Sequence, residues 1–163
     1  VGSGNSVQVG KESLKEWKRI FDINLFSTIN TINALMASTK AKKTSIICIS
    51  SICGHEHIPG APATYSVAKS ALNSYIKSYS KFLITKGVSL NGIVCGNIMF
   101  EGSTWDKKLK NKKTTTKIAL QDVPASKFAS PMEIYKAANF LADDDSYICG
   151  SLIVVDGGQT RSI

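Results

Sequence analysis

Apolar residues recur at spacings of three and four along the first quarter of the chain: Leu14, Trp17, Ile20, Phe21, Leu25, Phe26, Ile29, Ile32, Leu35 and Met36. That is the period of a helical face, and Ser13-Leu14-Lys15-Glu16 in front of it has the order of a capping box. The pattern predicts helix, in one or two pieces, to about Thr39. The basic turn Lys40-Ala41-Lys42-Lys43 then gives way to Thr44-Ser45-Ile46-Ile47-Cys48-Ile49, a short, largely β-branched run that suits a strand buried on both faces. Ser50-Ser51 and Gly54 end it. Ala68, Leu72, Ile76, Tyr79 and Leu83 set a second helix from about Ala63 to Lys86, stopped by Gly87, and a second buried strand runs from Val88 to Cys95 and ends at Gly96.

Residues 97–124 carry no clear period and predict an irregular or short-helical excursion, which is long enough to suggest function or mobility. Order restarts at Ser130-Pro131-Met132-Glu133, with a capping Ser, Pro at the first helical position and Glu at the third. Ile134, Ala137, Ala138, Phe140 and Leu141 face that helix inward, and Asp143-Asp144-Asp145 follows it. Ser151 to Val155 is a third apolar strand, closed by Asp156-Gly157-Gly158. Strands alternating with helices imply right-handed crossovers and a parallel sheet, hence an α/β fold. Three strands make a poor free-standing parallel sheet, so further strands are expected upstream.

The 163 residues, 17.6 kDa, 43% hydrophobic and near zero in mean hydropathy, fit one globular domain and exclude disorder and fibrous repeats. Apolar runs of four residues are far short of the roughly 20 that span a bilayer. No secretory pattern opens the chain, so a cytoplasmic protein, or a fragment of one, is expected. The four cysteines form no C-x-x-C and read as reduced, mostly buried thiols, with a metal or a disulfide as the alternatives. Net charge is +8, and between Asp106 and Lys117 six lysines face one acid, a local +5. A polyanion-binding module would use these lysines, but only Trp105 stands near them to stack on bases, so no nucleic-acid partner is expected.

The candidate chemistry lies on the second helix. Tyr65 and Lys69 stand four apart and share a face, where an ammonium can lower a phenol's pKa. Ser51 ends the preceding strand, at the edge where open α/β sheets place ligands. Taken alone, a Tyr and a Lys at this spacing are common on lysine-rich helices. The ordered set of motifs is not: Asp22-Ile23-Asn24-Leu25, Ile49-Ser50-Ser51-Ile52-Cys53-Gly54, Tyr65-Ser66-Val67-Ala68-Lys69-Ser70-Ala71, Leu90-Asn91-Gly92-Ile93-Val94-Cys95-Gly96, Ser130-Pro131-Met132-Glu133-Ile134 and Cys149-Gly150-Ser151-Leu152-Ile153-Val154-Val155-Asp156-Gly157-Gly158.

In this order and spacing the chain resembles the short-chain dehydrogenase/reductase family over essentially all 163 residues. The resemblance implies a Rossmann-type, doubly wound parallel sheet whose N-terminal strands are missing from this chain. Residues 1–163 would form a single partial domain, from the end of the fourth strand to the C-terminus. It implies NAD or NADP as cofactor, a carbonyl/hydroxyl substrate, and a catalytic tetrad of Asn24, Ser51, Tyr65 and Lys69. Gly2, Tyr65, Lys69, Gly96 and Ile98 would contact the cofactor, no metal would be needed, and pairing into a homodimer or homotetramer is expected. The glycine-rich phosphate loop would lie before Val1, so these 163 residues alone are not expected to bind the dinucleotide.

Three features depart from the family's pattern. Cys95 stands where Pro is usual, Phe100 where a Thr often meets the cofactor, and the Ser51–Tyr65 interval is one residue longer than the commonest. That interval holds His55-Glu56-His57, readable as two metal ligands lacking a third, as a pocket wall, or as a solvated loop. The resemblance also puts a substrate lid just after Gly96, where the lysines would either favour an anionic substrate or form a solvated, mobile loop with no partner. A noncatalytic relative of the family kept for assembly is the other reading.

Overall fold

A computed structural model describes residues 2–38, 43–143 and 147–161. The basic turn at Lys40, Ala41 and Lys42, together with Val1, Asp144 and Asp145, falls outside the described residues. The first helical stretch has two α-helical pieces, α1 (Leu14–Phe21) and α2 (Ser27–Ser38), joined by a wide π turn at Asp22–Phe26. Strand β1 (Thr44–Ser51) leads through a tight turn at Ile52–Gly54 to α3 (Ala63–Ile84), and β2 (Val88–Cys95) follows. Two short helices, α4 (Thr104–Lys110) and α5 (Thr116–Leu120), precede α6 (Pro131–Leu141) and β3 (Leu152–Val155).

The three strands are parallel in the order β1-β2-β3. The register sets Ser51 beside Cys95 and Cys95 beside Val155, so all three strands present their carboxyl ends at one edge. On one face, Cys48 and Leu90 pack with Leu72, Ile76 and Leu83 of α3 and Leu25 and Ile32 from the first helical stretch. On the other, Ile93 and Cys95 pack with Leu141 of α6. Central β2 carries Gly92 because a Cβ there would meet Leu152 Cδ2 at 2.7 Å and Ile76 Cδ1 at 2.9 Å.

Within the described sheet β1 lies at one edge, and its Ile49 is 48% exposed. Among the described residues, no helix is long and apolar enough to cross a membrane.

Two surface carboxylates fasten the helix starts. Glu16 pairs with Arg19 at 2.6 Å and accepts from Ser6 Oγ at 2.8 Å, and the same Ser6 hydroxyl lies 2.7 Å from Thr64 Oγ1 at the start of α3. Glu133 accepts from the backbone amide and hydroxyl of Ser130 and pairs with Lys127 at 2.8 Å. Arg19 holds Glu16, and Lys127 holds Glu133, at a pKa of about 2, against 4.5 ordinarily. A carboxylate lowered on folding adds stability that is present above about pH 4.5 and is lost as pH falls toward 2. We expect Glu16→Gln and Glu133→Gln to flatten the pH dependence of urea unfolding between those values, leaving the slope near neutrality unchanged. A variant that keeps the wild-type acid limb would show that its carboxylate is not held in solution.

Candidate active site

The candidate side chains reach the carboxyl edge of the sheet from three elements, β1, α3 and the π turn. Ser51 is the last residue of β1, and its Oγ accepts from the Cys53 amide at 3.2 Å, which holds the tight turn. Tyr65 and Lys69 occupy the first two turns of α3, with Lys69 Nζ 5.8 Å from the Tyr65 ring centre. Asn24 lies in the π turn and is 1% exposed. Gly2 and Gly4 run alongside. A Cβ on Gly2 would lie 3.0 Å from Asn24 Oδ1 and 3.3 Å from Lys69 Nζ, and one on Gly4 would touch the Tyr65 ring at 3.8 Å. Gly96 follows Cys95, and a Cβ there would strike Asp156 Cα at 2.7 Å, so only glycine lets the ends of β2 and β3 cross so closely.

Asn24 is tied to the N-terminal segment. Its Oδ1 accepts from the Ser3 amide, and its Nδ2 donates to the carbonyls of Ser3 and Ile20, all at 3.0 Å. Both amide hydrogens are therefore spent on backbone, and one Oδ1 lone pair is left for any water. The side chain fastens the strip that passes over Tyr65 and Lys69.

Lys69 is 4% exposed and donates to the Ile49 carbonyl at 3.1 Å. Burial pulls its pKa down, while the neighbouring thiols of Cys95, Cys48 and Cys53 act in the opposite direction. Tyr65 is pushed up to about 12 by burial, and a hydrogen bond with the Ser51 side chain pulls it back only in part. Burial decides the direction at Tyr65, and the Lys69 ammonium is aimed at the Ile49 carbonyl.

A residue without a candidate role shapes the site. A Cβ on Gly54 would stand 2.4 Å from the Lys69 carbonyl carbon and 2.7 Å from its oxygen, so the tight turn rests directly on the backbone of α3. The Gly54 carbonyl accepts from Ser70 Oγ at 2.9 Å and Asn73 Nδ2 at 3.0 Å, and Ser50 Oγ donates to Asn73 Oδ1 at 2.6 Å. Gly54 belonged to a quoted motif, but nothing in its sequence context tells a close approach from a plain turn. The buried Asn73, one turn beyond Lys69, was the available signal.

The remaining candidates fall outside this cluster. Ile98 is half-buried where the chain leaves the sheet after Gly96, and it bridges to Ala129. His55 and His57 are exposed, and Glu56 accepts from the Arg161 amide at 3.1 Å. Among the described residues, no group of three His, Cys, Asp or Glu is placed to hold a metal ion. All four cysteines are free, Cys48 and Cys95 buried and Cys53 and Cys149 half-buried. A surface depression of about 530 Å³ lies along α1 between Leu14 and Asp22 and includes none of the tetrad.

Gly54→Ala tests the turn's contact with α3. Since backbone must move, we expect a stability loss of about 1–3 kcal/mol, the usual cost of overpacking. Equilibrium urea unfolding within error of wild type would show that the turn can lift away freely.

Residues 2–160 match the family model described as Enoyl-(Acyl carrier protein) reductase. The chain is 36% identical over 150 residues to the 3-oxoacyl-[acyl-carrier-protein] reductase FabG of Chlamydia trachomatis, covering 90% of this chain and 58% of that protein. It is 32% identical over 152 residues to a cyclopentanol dehydrogenase of Comamonas testosteroni, covering 92% of this chain and 59% of that protein. The chain thus spans under two thirds of the length of these curated relatives. Among solved structures, a short chain dehydrogenase/reductase family oxidoreductase from Burkholderia thailandensis superposes with a TM-score of 0.86 at 26% identity, covering 97% of this chain and 61% of that one. A 3-oxoacyl-[acyl-carrier protein] reductase with bound NAD from Brucella melitensis superposes with a TM-score of 0.76 at 25% identity, covering 95% and 56%. Motif order, a parallel sheet with its polar cluster at the carboxyl edge, and a family model matched over nearly the whole length agree: the chain belongs to the short-chain dehydrogenase/reductase family.

Proposed function

We propose that this chain carries the catalytic half of an NAD(P)-dependent oxidoreductase that interconverts a carbonyl compound and its alcohol. The observation that carries the reading is the convergence of Ser51, Tyr65 and Lys69 beside Gly2 and Gly4, whose missing side chains leave a narrow polar floor. That floor fits the nicotinamide and ribose end of a dinucleotide, with the Gly2 strip, Lys69, Gly96 and the backbone of Ile98 around it. The bound nicotinamide would supply or accept the hydride.

In this reading the chain's residues handle the proton and the geometry. Tyr65 donates its phenolic proton to the carbonyl oxygen during reduction, and Ser51 donates a hydrogen bond to the same oxygen and fixes it. Lys69 holds the ribose and, as an ammonium, favours the phenolate that the reverse direction needs. Asn24 is a positioning residue that anchors the strip beside Lys69, and through its free Oδ1 lone pair it can hold a relay water. Phe26 in the π turn and Val67 and Phe82 on α3 are each about half exposed, apolar positions that a homodimer or homotetramer would cover. A monomer by light scattering of the full-length protein would contradict that pairing.

Tyr65→Phe in the full-length protein should lower kcat by at least about 10²-fold, with little change in cofactor affinity. A phenol held near 12 is protonated throughout the neutral range, and it is lost as an acid only as pH rises toward that value. Reduction is therefore expected to be level between about pH 6 and 9 as far as Tyr65 is concerned, while oxidation gains with rising pH. Near-normal turnover of the Phe variant would remove Tyr65 from the mechanism.

A further inference from the structure

One buried polar residue on α3 has no role in the mechanism above. Asn73 is 6% exposed and stands one turn beyond Lys69. Both ends of its amide are spent across the Ser51 turn: Oδ1 accepts from Ser50 Oγ at 2.6 Å, and Nδ2 donates to the Gly54 carbonyl at 3.0 Å. A carbonyl can only accept, so the Gly54 contact fixes which end of the amide faces it. The hydroxyl of Ser50, itself buried, then points its hydrogen at Oδ1.

These two bonds grip the residue before Ser51 and the residue that ends the turn after it. Between them Ser51 is extended, with φ of −149° and ψ of 150°, and the amides of His55 and Glu56 close on the Ile52 carbonyl at 2.9 and 3.0 Å. The closed turn brings the Cys53 amide to Ser51 Oγ at 3.2 Å. An N–H only donates, so Ser51 is the acceptor in that bond and its own hydrogen is not consumed by it. A free serine hydroxyl rotates between donating and accepting; here the turn decides which it does.

Packing alone does not call for an amide at this position. Helix α3 already presents Leu72 and Ile76 to Cys48 and Leu90 of the sheet, and burying an amide is costly unless both of its ends are paired. What an apolar side chain cannot supply is one planar group with an acceptor and a donor, tying positions 50 and 54 to a single point on the helix that carries Tyr65 and Lys69. The Gly54 carbonyl also accepts from Ser70 Oγ at 2.9 Å, so it keeps one partner when Asn73 is cut.

We propose that Asn73 is a positioning residue: by clamping both ends of the Ser51 turn it holds the Ser51 hydroxyl as a hydrogen-bond donor toward a carbonyl oxygen at Tyr65. The carbonyl rests on the oxidoreductase reading, whereas the clamp rests on the hydrogen bonds alone.

Two measurements on the full-length protein test this. The first is a double-mutant cycle on kcat, with ethyl acetoacetate and NADPH, or cyclopentanol and NAD, as probes. Asn73→Ala should lower kcat about tenfold, less than the about 10²–10³-fold that a lost oxyanion donor costs, because the hydroxyl is present but misaimed. In a Ser51→Ala background the same substitution should cost under about twofold, since no hydroxyl is left to aim, and KM for the nicotinamide cofactor should stay within about twofold in both backgrounds. Ser50→Ala, which frees one end of the clamp, should show the same dependence on Ser51, and Ser50→Thr, which restores a hydroxyl, should recover most of the loss. Should Asn73→Ala not fold, the Ser50 pair decides alone. Equal losses of kcat with and without the Ser51 hydroxyl would reduce Asn73 to a packing residue and overturn the proposal.

The second measurement needs no turnover. Hydrogen exchange, followed by NMR, should quicken about tenfold or more at the amides of Cys53, His55 and Glu56 in Asn73→Ala, and likewise in Ser50→Ala, while those of Ile76 and Leu83 on α3 keep their wild-type protection. Unchanged exchange in the turn, or protection lost along the whole of α3, would overturn the clamp. If the turn loosens as expected but the unsubstituted protein turns over neither probe, the result counts against the oxidoreductase reading and the clamp stands.

Discussion

Contact between the Ile52–Gly54 turn and the backbone of α3 at Lys69 sets the rest of the site. With no Cβ at Gly54, the end of β1 comes close enough for the Gly54 carbonyl to take hydrogen bonds from Ser70 and Asn73, one helical turn apart. That approach fixes how far the Lys69 stem must travel, and it ends on the carbonyl of Ile49, two residues before Ser51. Strand, turn and helix thereby become one rigid corner. The serine, phenol and ammonium sit on its three sides, so their separation is a property of backbone packing and not of side-chain choice.

The chemistry at this corner is costly to the fold, and the surroundings show how the cost is met. A buried ammonium needs compensation. One carbonyl bond is given, and the adjacent groups at Cys48, Cys53 and Cys95 are thiols that burial keeps neutral, with Cys48 and Cys95 pushed up to about 11. These groups are polarisable without being acidic. A carboxylate in their place would trap Lys69 in an ion pair and compete for the ribose that the proposed mechanism assigns to it. Cys95 occupies a position where the family more often has Pro, and here it joins that neutral lining.

How much of this was legible follows from which residues act through spacing. Tyr65 and Lys69 are four apart on a helix of strong period, and Ser51 follows an apolar run, so their meeting at one sheet edge could be read directly. Asn24 could be placed on a helix but not understood, because the π turn at Asp22–Phe26 rotates it away from the phase that 3.6-residue counting assigns. Its bonds to Ser3 span 21 residues and leave no periodic trace. Gly54 and Gly96 were visible only as punctuation, although what matters is the atom each would clash with.

The excursion after Gly96 shows where sequence reading and structure meet halfway. Its lack of period correctly implied short pieces, and its charge was plain, but charge alone leaves six equivalent lysines. The structure removes that equivalence through contacts no count of residues contains: Lys110 answers Asp106, Lys108 rests on Trp105, and Trp105 rests on Phe128. The base of the segment is hydrogen-bonded into the sheet's edge through Asn97, Met99 and Ala129, with Asn97 Nδ2 also donating to the Ala119 carbonyl at 3.0 Å. The part between α4 and α5 is exposed, and Lys112 there adopts a left-handed backbone with φ of 53°. Placement, more than the number of lysines, is what the contacts of Asp106, Trp105 and Phe128 decide.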